Sequence, residues 1–350
     1  MFKKIKIGNK KIGERCPVFI VAEISANHLQ KFDYAIELIK VARKVGADAV
    51  KFQTYTPDTL TIDCDNKYFQ IKQDTIWGGK TLYQLYKEAY TPWEWLPKLK
   101  KIAEKEGLIF FSSVFDKTSV DFLEKINPPA YKIASFEITD IPLIEYVARK
   151  KKPIIVSTGV ATLPDIKEVV NVCKKVGNNQ IILLKCVSAY PTPLEEVNLR
   201  HIPTLAKIFK TIVGISDHTT GISVPIAAVA LGAKMIEKHL TLDRSLGGPD
   251  VAFSLEPQEF KEMVKNVRET ERALGKASYK LSEKVKKSRK LTRSLFVVKD
   301  IKAGEKFTEE NVRSIRPGYG LPPKYFKKVV GKRAKKDIKK GTPLKWNLIL

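Results

Sequence analysis

Cysteine, histidine, methionine and tryptophan are all scarce in this 350-residue chain, at four, four, three and four. The cysteines, Cys16, Cys64, Cys173 and Cys186, stand far apart and form no CxxC. That argues against a zinc knuckle and a disulfide framework, and leaves reduced, structurally incidental thiols. Long apolar runs are missing too, so no membrane span is predicted, and the opening MFKKIKIGNKKIGER lacks the apolar centre of a secretory signal. A cytoplasmic protein is the expectation. No GxGxxG or Walker loop points to a nucleotide, and no serine sits in a GxSxG elbow, so a nucleophilic triad is unsupported. Acidic residues are outnumbered, 38 against 63 Lys and Arg, for a formal charge of +25. Much of the excess lies in Lys276–Trp346, with 23 Lys and Arg against 6 Asp and Glu. Its aromatics follow no RNA-binding spacing, so a solvated basic surface is the expectation and a nucleic-acid binder the remote alternative.

What the chain does have is eight short apolar runs, each ending at a polar or charged residue. They read VFIVAE (Val18–Glu23), DAVKFQ (Asp48–Gln53), LIFFSS (Leu108–Ser113), AYKIAS (Ala130–Ser135), PIIVST (Pro153–Thr158), IILLKC (Ile181–Cys186), TIVGIS (Thr211–Ser216) and KMIEKH (Lys234–His239). Stretches with helical spacing separate them, such as Phe32–Val45, stopped by Gly46, and Pro257–Leu274. Eight parallel strands joined by helical crossovers predict an α/β fold, a (β/α)8 TIM barrel. Its strand carboxyl ends converge on one rim, which would carry Glu23, Lys51, Gln53, Ser113, Ser135, Ser157, Ser216 and His239. The connection Thr54–Thr91 is far longer than an ordinary βα loop, and covers the rim or packs on another subunit. Domain boundaries are expected at 1–275 for the barrel, 276–293 for a linker and 294–350 for a small module.

Three of the four histidines, His28, His218 and His239, fall at or just after the first, seventh and eighth strands. The last two strands are neighbours in a closed barrel, so His218 and His239 can face one divalent cation such as Mn²⁺ acting as a Lewis acid, or serve as acid/base or structural groups. Glu237, two residues before His239, shares its face. Lys51 and Lys132 interrupt apolar strands, and with the rim hydroxyls, Ser188 included, they suffice to hold a small phosphorylated carboxylate. Glu23, Glu137 and Asp250 add carboxylates that could move protons or bind sugar hydroxyls.

EISANH (Glu23–His28), KFQTYTP (Lys51–Pro57), YKIASFE (Tyr131–Glu137), KCVSAYPTP (Lys185–Pro193), GISDHTTG (Gly214–Gly221), IEKHLTLDRSLGGPDVAFSLEP (Ile236–Pro257) and RSIRPGYGL (Arg313–Leu321) together resemble the sialic acid synthase family, over essentially the whole chain. The resemblance implies a TIM barrel followed by a small C-terminal antifreeze-like (SAF) domain. It also implies a transferase that joins phosphoenolpyruvate to the open-chain aldehyde of an acetamido sugar and releases phosphate. TLYQLYKEAYTPWEW (Thr81–Trp95), SLGGPDVAFSLEP (Ser245–Pro257), Ser25 and Ser188 are most similar to the pseudaminic acid branch, whose acceptor is 2,4-diacetamido-2,4,6-trideoxy-L-altrose. N-acetylneuraminate and legionaminate synthesis are the alternatives with the same chemistry. Carried over by position, the resemblance implies Mn²⁺ or Mg²⁺ on His218 and His239 with Glu237 behind them. Lys51, Ser113, Lys132, Ser135, Ser157, Ser188 and Ser216 would hold phosphoenolpyruvate. Gln53, Tyr190, Asp250 and Arg316 would hold the sugar, and Glu23 and Glu137 are the catalytic candidates. Arg316 would reach the other subunit's site in a homodimer with exchanged C-terminal domains.

Overall fold

A computed structural model describes residues 4–72 and 75–350. Its eight parallel strands close into a barrel in chain order: Phe19–Glu23, Ala49–Thr54, Ile109–Val114, Tyr131–Ile133, Ile154–Ser157, Ile181–Lys185, Ile212–Asp217 and Met235–His239, the last pairing with the first. The eight apolar runs are these strands, and the TIM-barrel expectation holds. Between them lie amphipathic helices. Phe32–Lys44, for example, buries Ala35, Leu38, Ile39 and Ala42 on one face. The crossover helix His201–Phe209 has the same pattern, burying Ile202, Leu205 and Phe209, but was not anticipated.

The period of two along each strand explains where the site lies. Phe19 and Val21 of the first strand, Ile109 and Phe111 of the third, Ile182 and Leu184 of the sixth and Met235 of the eighth join one interior apolar cluster. Two residues further along the same inward rows stand Glu23, Ser113, Cys186 and Glu237. Each strand thus fills the barrel with hydrocarbon at its amino end and presents polar atoms at its carboxyl end. Gly214 sits on an inward row where a side chain would collide with Met235 and Leu184. Its absent Cβ lets three strands pack there.

The amino end of the barrel is closed by something the sequence reading did not identify. Ile5–Ile7 and Lys10–Ile12 form an antiparallel hairpin, and Ile7 and Ile12, both fully buried, belong to the interior cluster. Three-residue strands among lysines give too short an alternation to be read.

The connection after the second strand is ordered around two short helices, Pro57–Leu60 and Leu82–Ala89. The latter opens on a reciprocal Thr81–Gln84 capping box. Residues 73 and 74 of this connection lie outside the described residues.

The chain divides into two compact units, Met1–Gly275 and Lys276–Leu350. The second begins with exposed polar residues containing a helix, Glu283–Arg289. An antiparallel pair follows, Ser294–Val297 with Val312–Ile315, over its own core of Leu295, Val297, Ile301, Phe307 and Val312. Among the described residues no helix is long and apolar enough to cross a membrane.

Candidate active site

A cavity of about 420 Å³ opens at the carboxyl ends of the strands. Of the residues singled out from the sequence, Glu23, Lys51, Gln53, Ser113, Lys132, Ser135, Glu137, Ser157, Tyr190, Ser216, His218, Glu237, His239 and Asp250 all line it. Ser188 stands beside the lining: a side chain at Gly159 would collide with both Ser188 Oγ and Ser135 Oγ, so the serine–threonine–glycine turn needs its glycine for close approach. Arg316 belongs to the second unit, where it is exposed.

The floor of the cavity is a ladder of alternating charge. Lys51 Nζ lies 2.7 Å from Glu23 Oε2, donates to Ser113 Oγ at 3.0 Å, and stands 3.7 Å from Glu237 Oε1. Glu237 Oε1 is also 3.7 Å from Lys132 Nζ and accepts from Ser216 Oγ at 3.0 Å. Burial opposes the charge on Lys51, but Glu23 and Glu237 raise its pKa above the ordinary value. Lys132, which donates to the Ile133 carbonyl at 3.1 Å, is lowered by burial against the pull of Glu237. Burial would raise Glu237, yet the two lysines hold it below the usual carboxylate range. Two ammonium groups this deep in a barrel are retained only by such neighbours or by an anionic ligand in their place.

Other carboxyls are held in the protonated direction. Burial raises Glu23, with Lys51 opposing and Glu237 assisting. Asp250 is raised by burial while Ser25 Oγ donates to it. Glu137, which has a buried oxygen without a partner, is pushed up by burial to about 7. Its ionisation is therefore disfavoured in the folded state, so the stability tied to its protonated form is lost as pH rises from 4.5 through about 7. Glu137→Gln is expected to be more stable than the parent at pH 8, by at most about 3 kcal/mol, with the difference vanishing near pH 4. Urea unfolding at both pH values measures this, and equal destabilisation at both would contradict it.

The two histidines meet as expected, with ring centroids 5.3 Å apart. His218 Nδ1 donates to the Val187 carbonyl at 3.0 Å, and although burial opposes its charge, Cys186 and that carbonyl raise its pKa above the ordinary value. His239 Nδ1 is buried with no partner, and burial, reinforced by His218, lowers its pKa well below the ordinary value, so it stays a neutral donor. Among the described residues no group of three or more His, Cys, Asp or Glu is arranged to hold a metal ion.

His28, which also follows a barrel strand, does not join the two histidines at the cavity. It is fully buried outside the cavity, with Nε2 at 3.0 Å from Thr91 Oγ1 and its ring against Trp95. Burial lowers it to about 4. It joins the loop after the first strand to the far end of the long connection.

Cys186 is a correction to the sequence reading. It lines the cavity, with Sγ 3.8 Å from His218 Nδ1, rather than being incidental. Continuing the inward alternation Ile182, Leu184 by two residues would have located it. Asp217 and Lys238 had no such signal. They are outward neighbours of His218 and His239, paired at 2.6 Å with Lys238 fully buried, and they pin the last two strands together.

The chain matches the NeuB family over residues 38–279 and the SAF domain over residues 292–350. It is 48% identical to a pseudaminic acid synthase of Campylobacter jejuni, over 97% of this chain and 98% of that one. It is 46% identical to a pseudaminic acid synthase of Helicobacter pylori, over 94% and 96% of the two chains. The solved N-acetylneuraminic acid synthetase of Leptospira borgpetersenii, in complex with citrate, superposes with a TM-score of 0.74 at 34% identity, over 82% of this chain and 95% of that one. A closed barrel with lysines on its floor and histidines at its lip, a matching C-terminal module and near-full-length identity together place the chain: it belongs to the NeuB family and carries a SAF domain at its carboxyl end.

Proposed function

We propose that this chain is a pseudaminic acid synthase, which condenses phosphoenolpyruvate with the aldehyde form of 2,4-diacetamido-2,4,6-trideoxy-L-altrose and releases phosphate. The observation that carries the reading is the pair of buried ammonium groups, Lys51 and Lys132, in one cavity with the imidazoles of His218 and His239 and three carboxyls raised by burial. The Campylobacter and Helicobacter relatives supply the branch.

Lys51 and Lys132 take the carboxylate and phosphate of phosphoenolpyruvate, and Ser113, Ser135, Ser157, Ser188 and Ser216 donate hydroxyls around it. Gln53, Tyr190 and Asp250 orient the sugar so that its aldehyde carbon meets carbon 3 of phosphoenolpyruvate. A Mn²⁺ or Mg²⁺ ion held by His218 and His239, with Glu237 behind them, would supply Lewis acidity at the aldehyde oxygen. The new bond joins carbon 3 to the aldehyde carbon. Water adds to carbon 2, the C–O bond to phosphate breaks, and a 2-keto acid remains. Glu23 and Glu137 are the carboxyls placed to take the proton from that water: both line the cavity, and burial raises Glu23 above the usual carboxylate range and pushes Glu137 up to about 7. Arg316, exposed on the RPGYG loop, serves the cavity of a partner subunit in a homodimer with exchanged C-terminal units. The proposed place of action is the cytoplasm.

Phosphate release from phosphoenolpyruvate across a panel of acetamido sugars with added Mn²⁺ tests the reading. Turnover is expected to be fastest with the 6-deoxy diacetamido altrose. Faster turnover of N-acetylmannosamine or of the legionaminate precursor would move the chain to the neighbouring branch.

A further inference from the structure

The cavity has two chemically different ends. The charged floor belongs to the barrel strands. A mostly apolar wall comes from the connection that follows the second strand, which starts at Tyr55, beyond that strand's carboxyl end. Among the described residues that connection contributes Leu60, Ile71, Trp77, Leu82, Leu85 and Ala89 to the lining, together with the hydroxyl-bearing Tyr55, Thr75 and Tyr86.

The wall is anchored. Trp77 donates its indole N–H to the Pro249 carbonyl at 2.7 Å, next to Asp250. Its ring packs on Tyr190 at 5.4 Å, and Tyr190 packs on His218 at 4.5 Å. At the other end Leu85 is buried, and Tyr86 stands edge-on to Tyr55 at 5.7 Å. Leu82, Leu85, Tyr86 and Ala89 lie on the cavity side of one short helix, at the spacing that puts residues on one face.

Resting on the reading above, this geometry has a direct consequence for the acceptor. The aldehyde carbon must sit beside phosphoenolpyruvate, at the floor. The rest of an open six-carbon chain runs away from the floor, so its last carbon arrives at the leucine wall. We infer that the helix Leu82–Ala89 is the part of the enzyme that selects an acceptor ending in a methyl group over one ending in a hydroxymethyl group. Against the hydrocarbon of Leu82 and Leu85 a terminal hydroxyl would be stripped of water and meet no hydrogen-bonding atom on those side chains, while a methyl group gains contact there.

The test compares kcat/KM for two acetamido sugars that differ only at the terminal carbon, deoxy against hydroxylated, in the parent, Leu82→Gln and Leu85→Asn. The ratio of the two values is independent of how much of each variant is folded. The parent is expected to prefer the deoxy sugar by about 100-fold, the scale on which an apolar pocket rejects an added hydroxyl. Each variant should reduce the ratio at least about tenfold. A parent that does not discriminate, or two variants that both keep the parent's ratio, would overturn the inference while leaving the proposed condensation intact. No phosphate release with any acetamido sugar would instead remove the condensation reading and the inference together.

Discussion

Lys132→Met is expected to lower kcat/KM for phosphoenolpyruvate by about 100- to 1,000-fold, the scale of losing one preorganised donor to a developing or bound anion. Lys132 is only 2% exposed, and among the described residues its nearest carboxylate is that of Glu237, at 3.7 Å. A lysine so placed gains little from its neighbour when the cavity is empty, and burial already lowers its pKa. A trianionic substrate restores what burial removed. Glu237 keeps Lys51 and Ser216 when Lys132 is replaced, so its charge is not left alone. Far-UV circular dichroism establishes that the variant is folded, and Lys132→Arg, which keeps the charge but not the shape, should recover part of the loss. Parent-like kcat/KM in a folded Lys132→Met protein would show that phosphoenolpyruvate is held elsewhere.

His239→Ala is expected to have an effect at least as large, exceeding the 10- to 100-fold that usually follows loss of a group that merely orients a metal ligand. The variant should also lose the response of the parent to chelation and to added Mn²⁺. His239 is suited to this test because its Nδ1 has no partner in the protein, so alanine breaks no hydrogen bond there. His201→Ala is the control: His201 is exposed at the start of a crossover helix and should turn over like the parent. If chelation leaves the parent's rate unchanged, the two imidazoles are not cation ligands in turnover, and hydrogen bonding to the sugar becomes their role.

The barrel was legible because strand period and burial produce the same signal. A strand that is apolar on both faces and then ends in Glu, Lys, Ser or His can only be buried by a sheet covered on both sides, with its last residue at an opening. Hence Glu23, Ser113 and His239 could be assigned to one rim from three distant runs. The hairpin Ile5–Ile7 with Lys10–Ile12 and the helix His201–Phe209 escaped notice for opposite reasons. The first is too short for any period to register. The second was passed over although Ile202, Leu205 and Phe209 share one face.

By itself the amino-acid sequence determined the order of the eight barrel strands, most of the helices between them and, through its motifs, the family. Those depend on neighbours within a few residues along the chain, or on resemblance. Only the tertiary structure decided which polar groups meet. His28 and His218 both follow barrel strands, yet one seals a loop against Thr91 and the other faces the cavity. Cys186 became part of the wall, and Lys238 with Asp217 became a brace behind the histidines. The physical reason is that burial and pairing energies depend on distances across the barrel. The sequence fixes the direction of a side chain within its strand, but the closure of eight strands sets what it faces.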